Sequence, residues 1–276
     1  MSAISIVTSA TSSAANAQPR GLVEVRGVTR SFGGQPVLRG VDLVVQPGTI
    51  ATVIGGSGTG KSVLLKHVLA LLRPDSGEVR IDGESITDAT GRELVRLRRK
   101  FGVMFQGAAL FDSMTVEQNV AFPLREHTKL SSRDIAAQVS SRLEELSLLP
   151  AARRYPSEIS GGMRKRVALA RALALEPEIV LYDEPTSGLD PILAEQVHEL
   201  IWRTHRARQM TALVVSHDLP AAFRYSDVIV LLHEGRVALA GSPAEVLAAP
   251  HPYLARLLDA AGMAAGAAPL GATPRH

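Results

Sequence analysis

The sequence predicts an α/β protein in which a mostly parallel sheet is wrapped by helices. Two observations predict it. From Ile179 onward, short apolar runs alternate with helix-patterned stretches. Earlier, the apolar run Ile50 to Ile54 reads as a buried strand, and a glycine-rich turn leads from it into an amphipathic helix.

The elements follow in order. Leu22 to Val25 alternates, Gly33-Gly34 marks a turn, and Val37 to Val45 alternates again, so residues 22–54 read as strands and turns. The stretch SVLLKHVLALL carries apolar residues at helical spacing. Val79 to Ile81 followed by Asp82-Gly83 reads as a hairpin. The middle is mostly helical. In SSRDIAAQVSSRLEELSLL, Ile135, Val139, Leu143 and Leu146 share one face. MRKRVALARALAL is a second helix, ending before Pro177. Then IVLYDE, TALVVSH and DVIVLL read as strands, with PILAEQVHELIWRTHRAR and LPAAFRYS as the helices between them. Ser242-Pro243-Ala244-Glu245 fits a capped helix start.

Composition narrows the function. The 46% hydrophobic and 21% charged residues are those of a soluble globular protein. With no cysteine, neither a disulfide framework nor a thiolate metal site is possible. A net charge of +3 suits a protein that holds a polyanionic nucleotide or lies near anionic lipid, and is too small to argue for nucleic acid. No stretch approaches the ~20 apolar residues of a membrane span. Residues 1–19 are expected as a disordered Ser/Ala tail, because their apolar run is too short for a signal peptide. Residues 259–276 are expected as a flexible tail.

Gly55-Gly56-Ser57-Gly58-Thr59-Gly60-Lys61-Ser62 matches G-x-x-x-x-G-K-[ST] at every fixed position. Glycines let the backbone wrap phosphate oxygens and aim N–H groups at them, and the next helix offers its positive end to the same anion. Lys61 reaches the β- and γ-phosphates and Ser62 ligates Mg²⁺. The strand IVLYDE ends in two carboxylates. Asp183 fits the Mg²⁺ shell. Side chains alternate along a strand, so Glu184 points elsewhere and is free to act on the attacking water.

With these motifs stand Ser160-Gly161-Gly162, Ser187-Gly188-Leu189-Asp190 and Ser216-His217, in the order of ABC transporter ATPases, which the chain resembles over about residues 22–250. The resemblance implies the ABC ATPase fold: a P-loop NTPase (RecA-like) core, an antiparallel β sub-domain and an α-helical sub-domain at about 107–176. The nucleotide-binding domain would span 20–258. Gln106 looks like the Q-loop glutamine that touches Mg²⁺ or the water, and Phe32 like the adenine-stacking aromatic. Ser160, Gly161 and Gly162 would face the ATP of the opposite protomer. Asp190 would contact that protomer, and His217 would grip the γ-phosphate. The implied machine is a head-to-tail homodimer with two ATPs at its interface. Integral membrane permease subunits would dock beside the Q-loop, against the apolar stretch Ala108 to Leu124, at the cytoplasmic face of a bacterial inner membrane.

The signature departs from Leu-Ser-Gly-Gly-Gln at Met163, which removes an amide near the partner's nucleotide. The clusters Arg164-Lys165-Arg166 and Arg96 to Lys100 read as solvated surface charge. The segments Gly102 to Asp112, Met114 to Val116 and Asn119 to His127 resemble the Mla/Mce branch, which implies phospholipid transport with a periplasmic lipid-binding (MCE-type) component. An importer of amino acids or other small solutes is the alternative. A soluble ABC-type ATPase acting on ribosomes or DNA is the reading from another class. Such proteins carry paired cassettes or long coiled coils, and this sequence has one cassette and no long heptad run.

Overall fold

The computed structural model describes residues 20–263. The expected tail at 1–19, and residues 264–276 of the expected tail at 259–276, lie outside the described residues. The chain opens with β1 (Val23–Phe32), β2 (Gln35–Val45), β3 (Ile50–Ile54), α1 (Lys61–Val68), β4 (Ser76–Ile81), β5 (Glu84–Ser85), α2 (Gly91–Arg98) and β6 (Phe101–Met104). Three helices follow: α3 (Val116–His127), α4 (Ser132–Glu145) and α5 (Gly161–Ala172). Next come β7 (Ile179–Asp183), α6 (Pro191–Arg208), β8 (Thr211–Val215) and α7 (Leu219–Tyr225). The last elements are β9 (Val228–His233), β10 (Arg236–Gly241), α8 (Pro243–Ala248) and α9 (Pro252–Ala260). The described chain divides into two compact units, residues 20–98 with 205–263, and residues 99–204.

The first unit holds two sheets. One is antiparallel, in the order β2-β1-β4-β5. Val23 and Val25 alternate inward, and Val28 is buried after a register shift. The Asp82-Gly83 turn takes positive φ at both residues (50° and 80°), as a two-residue hairpin requires. In the other sheet β3 runs parallel between β8 and β9, and β10 returns antiparallel to β9. All five residues of β3 are buried, as the continuous apolar run predicts for a central parallel strand. Thr52 is the polar one, and its hydroxyl meets that of Ser226 at 2.6 Å. Ile54, at the end of β3, packs with Leu219, Phe223, Leu231, Val246, Leu254 and Leu258, so α7, α8 and α9 are anchored on the strand that delivers the glycine-rich turn.

Helix α1 stops at Val68, earlier than its apolar pattern suggests. His67 Nδ1 lies 2.9 Å from the Leu72 carbonyl, and Arg98 donates to the carbonyls of Leu69 and Ala70 at 3.2 and 3.0 Å. Arg98 therefore satisfies the carbonyls at a helix end rather than lying in solvated charge. In the last turn of α6, burial pushes the His205 imidazole down to about 4. The sign follows from linkage: as pH falls below about 6.5 the unfolded chain takes up this proton first, so stability is lost down to about 4. Chemical denaturation should show about 2 kcal/mol of loss from this group between pH 7 and pH 5. His205→Gln should narrow that difference.

In the second unit β6 pairs parallel with β7, from Phe101 against Ile179 to Met104 against Tyr182. A Cβ at Gly102 would lie 2.3 Å from the Ala172 carbonyl oxygen, so glycine lets the end of α5 lie flat on β6. Helices α3, α4 and α5 pack on one another. The predicted face Ile135, Val139, Leu143 and Leu146 is buried. Thr115 caps α3 with a reciprocal bond from Gln118. Asn119, fully buried, donates to the carbonyls of Phe111, Met114 and Thr115 and accepts from the Phe111 N–H, which fixes the turn before α3. The expected helical stretch 107–176 falls inside this unit, which also holds β6, β7 and most of α6.

Candidate functional site

In the first unit the turn from β3 to α1 is built as an anion cradle. Its backbone bends through positive φ at Gly55 (153°), Gly58 (75°) and Gly60 (101°). At two of these no side chain fits. A Cβ at Gly55 would lie 2.4 Å from the Leu232 carbonyl oxygen, and one at Gly60 would lie 2.7 Å from a Leu38 methyl. The wrap is thus dictated by glycine and held by β2 and β9. Lys61 is buried, and its Nζ donates to the carbonyls of Gly55 and Gly56, both at 2.8 Å. Ser62 follows in the first turn of α1, and Ser57 and Thr59 complete the loop, Thr59 donating to the Gly56 carbonyl at 3.0 Å. Backbone N–H groups, a helix N-terminus and a buried ammonium converge here, which fits a di- or triphosphate.

Two predicted residues share this unit. Phe32 ends β1 with 44% of its surface exposed and the Arg30 guanidinium 4.9 Å from its ring centre. An open aromatic face suits base stacking, whereas a core phenylalanine would be covered. His217 follows β8 on the exposed side, between buried Ser216 and Asp218, which caps α7 through Ala221.

Sequence reasoning missed Tyr253. Its hydroxyl accepts the Gly56 N–H at 2.9 Å, and its ring stacks on His233 at 3.9 Å between centres. Helix α9 therefore reaches into the phosphate-binding turn, and a Cβ at Gly56 would collide with that hydroxyl at 2.3 Å. No signal could have found this contact, because the partners lie 197 residues apart in sequence. Tyr253→Phe should weaken nucleotide binding by about threefold to tenfold, the range for one lost hydrogen bond, with little change in kcat. Titration with a fluorescent ATP analogue checks it.

The other predicted residues lie in the second unit. Asp183 ends β7, half-buried. Glu184 does not continue the strand alternation that the sequence suggests. Its φ is 50°, in the left-handed region, so a backbone turn before Pro185 sets its direction apart from Asp183. Non-glycine residues hold such φ values chiefly where the surroundings impose them, as at catalytic sites.

Ser160 caps α5, its hydroxyl accepting the Met163 N–H at 3.2 Å. The hydroxyl remains on the surface, where it can still donate to a ligand. Gly161 starts the helix and faces Leu189, which would stand 3.1 Å from a Cβ there, and buried Gly162 faces Leu193. Asp190 caps α6, accepting the N–H groups of Ile192 and Leu193 at 3.0 Å each. Ile192 beside it is 73% exposed.

The basic cluster at 164–166 departs from its expected solvated face. Lys165 is 6% exposed, and its Nζ donates to the Gln106 carbonyl at 2.6 Å. Within this unit the structure brings together the backbone of Gln106, the Ser187–Asp190 turn and the start of α5.

Comparison with known proteins identifies the family. A family model described as ABC transporter matches residues 38–187. The "Probable ribonucleotide transport ATP-binding protein mkl" of Mycobacterium leprae (strain TN) is 40% identical over 237 residues, covering 86% of this chain and 68% of that protein. The "Intermembrane phospholipid transport system ATP-binding protein MlaF" of Escherichia coli (strain K12) is 39% identical over 248 residues, covering 90% of this chain and 91% of that protein. Among solved structures, a dimeric ATP-binding cassette in a post-hydrolysis state bound to ADP and Pi superposes with a TM-score of 0.73 at 32% identity, covering 80% of this chain and 98% of that one. The cbiO1 protein of Clostridium perfringens, part of the ABC transporter complex cbiONQ, superposes with a TM-score of 0.76 at 29% identity, covering 87% and 95%. With its phosphate cradle, strand-end carboxylates and capped signature helix, the chain belongs to the ABC transporter family, as one of its ATP-hydrolysing nucleotide-binding subunits.

Proposed function

We propose that this chain, paired head to tail with a second copy, hydrolyses ATP to drive phospholipid transport between a bacterial inner membrane and the envelope beyond it. The observation that supports the lipid reading is the near end-to-end similarity to Escherichia coli MlaF. The working domain is taken as residues 20–258, with α9 carrying it on to Ala260.

Each residue has a part in this reading. Phe32 stacks on the adenine. Gly55 to Gly60 offer backbone N–H groups, and Lys61 exchanges the carbonyls of Gly55 and Gly56 for phosphate oxygens. Mg²⁺ would be held by Ser62, Gln106 and Asp183 and supplies neutralising charge on the phosphates. Glu184 orients the water in line with the γ-phosphate and draws its proton, and His217 steadies charge on that phosphate. Ser160, Gly161 and Gly162 of each copy face the ATP of the other, and Asp190 meets the facing copy. The exposed Ile192 at the start of α6 suits a surface that a second copy covers. Catalysis here is positioning and charge stabilisation, with no covalent intermediate.

Ser160→Arg tests the pairing. It should leave ATP binding by the lone chain unchanged while lowering turnover by at least about 100-fold, since closure on the partner's phosphate is blocked. Size-exclusion chromatography with ATP should show no dimer. Loss of ATP binding by the lone variant would contradict the role across the interface.

The chain would sit at the cytoplasmic face of the membrane, held by permease subunits. No helix among the described residues is long and apolar enough to cross a membrane. Purification from membranes tests the cargo. A permease and a periplasmic lipid-binding component of MCE type are expected, with ATP-dependent transfer of labelled phospholipid in proteoliposomes. A solute-binding protein in their place would favour small-solute import. That second reading draws on the printed name of the Mycobacterium leprae relative, which speaks of ribonucleotide transport.

A further inference from the structure

Helix α5 begins at the signature residues and carries two cations that bond to the carbonyls of residues 106–109. Lys165 is 6% exposed, an expensive place for an ammonium unless polar groups replace its water. Its Nζ donates to the Gln106 carbonyl at 2.6 Å and to Ser187 Oγ at 3.3 Å. Ser187 Oγ donates to the same carbonyl at 3.3 Å, which closes a triangle between the signature helix and two loops. Burial holds the Lys165 ammonium below the usual lysine range, while the charge of Glu184 acts in the opposite direction.

Farther along α5, the Arg171 guanidinium donates to the carbonyls of Ala109 and Ala108 at 2.8 and 2.9 Å, and lies 5.8 Å from the Phe111 ring centre. Ala108 and Ala109 both have positive φ, at 62° and 47°. Consecutive left-handed alanines persist only where the surroundings hold them. The loop from Gln106 to Ala109 is thus strung on α5 by its carbonyls, with Lys165 at the Gln106 end.

We propose that Lys165 is a positioning residue for hydrolysis, tying the signature helix to the loop that carries Gln106 and to the turn that carries Ser187. A shift of α5, whose first residues meet the partner's nucleotide, is then carried to the backbone of Gln106. The proposal rests on the reading of Gln106 and Glu184 given above. Methionine has a similar reach but no donor, whereas arginine keeps the charge.

The test measures ATP turnover against ATP concentration, nucleotide affinity with a fluorescent analogue, and Tm, for Lys165→Met and Lys165→Arg in the full chain. Lys165→Met should lower kcat at least about tenfold while KM and nucleotide affinity stay within about twofold. Lys165→Arg should restore most of the rate. Wild-type kcat in Lys165→Met overturns the proposal, as does a loss of nucleotide affinity as large as the loss of kcat. If Lys165→Met does not fold, Ser187→Ala removes one corner of the triangle and must lower kcat at unchanged KM; normal turnover there overturns the proposal. Glu184→Gln is assayed in parallel. Free turnover in that variant removes the underlying reading. An inert Glu184→Gln beside a normal Lys165→Met removes only the role of Lys165.

Discussion

Glu184→Gln is expected to abolish steady-state turnover, by about 10³-fold or more, while ATP still binds and closed dimers accumulate. The two side chains have the same shape, so the left-handed turn at this position, with φ of 50°, is kept. What is lost is the carboxylate proposed to take the proton of the attacking water. A thousandfold loss corresponds to about 4 kcal/mol of barrier. Binding should be spared, because in the proposed reading the phosphates are held by the loop from Gly55 to Ser62 and not by Glu184. Size-exclusion chromatography with ATP and no hydrolysis should show a trapped pair. A variant that turns over freely would remove Glu184 as the base.

Lys61→Ala has the second large effect. The lysine is buried and donates to the carbonyls of Gly55 and Gly56. Its loss removes the ammonium proposed to meet the β- and γ-phosphates and also two hydrogen bonds that hold the loop's shape. Hydrolysis should fall by at least about 10²-fold, and nucleotide affinity should fall with it, because one charge serves binding and catalysis. Circular dichroism and Tm should stay close to wild type, since β3 and α1 keep their apolar partners. Wild-type ATPase in this variant would refute the cradle role of Lys61.

Much of this molecule was legible in its sequence, for physical reasons that can be named. The phosphate loop is local, and its residue types are forced by backbone curvature at Gly55 and Gly60. The face of α4 follows from helical period, and the Ser242 capping box from the spacing of Ser242 and Glu245. Strand β6 was not marked as a strand of its own, because four residues ahead of Phe105-Gln106 give too short a period to read. Lys165 lay hidden in a run of three basic residues, where charge reads as solvated surface and only packing shows which of the three turns inward. Tyr253 could not be found at all, because its partner is Gly56. Glu184 was assigned its direction from strand alternation, and the structure assigns it to a left-handed turn instead.

The reach of α9 has a practical consequence for chimaeras. The family match ends at residue 187, and every motif with a recognised role is complete by His217. Swapping in another subunit's terminal helix would spare all of them. It would nevertheless exchange the hydroxyl that latches Gly56 and the leucines, Leu254 and Leu258, packed beneath Ile54. Such a hybrid would pass inspection by motif and still be tuned to a different cellular ATP level.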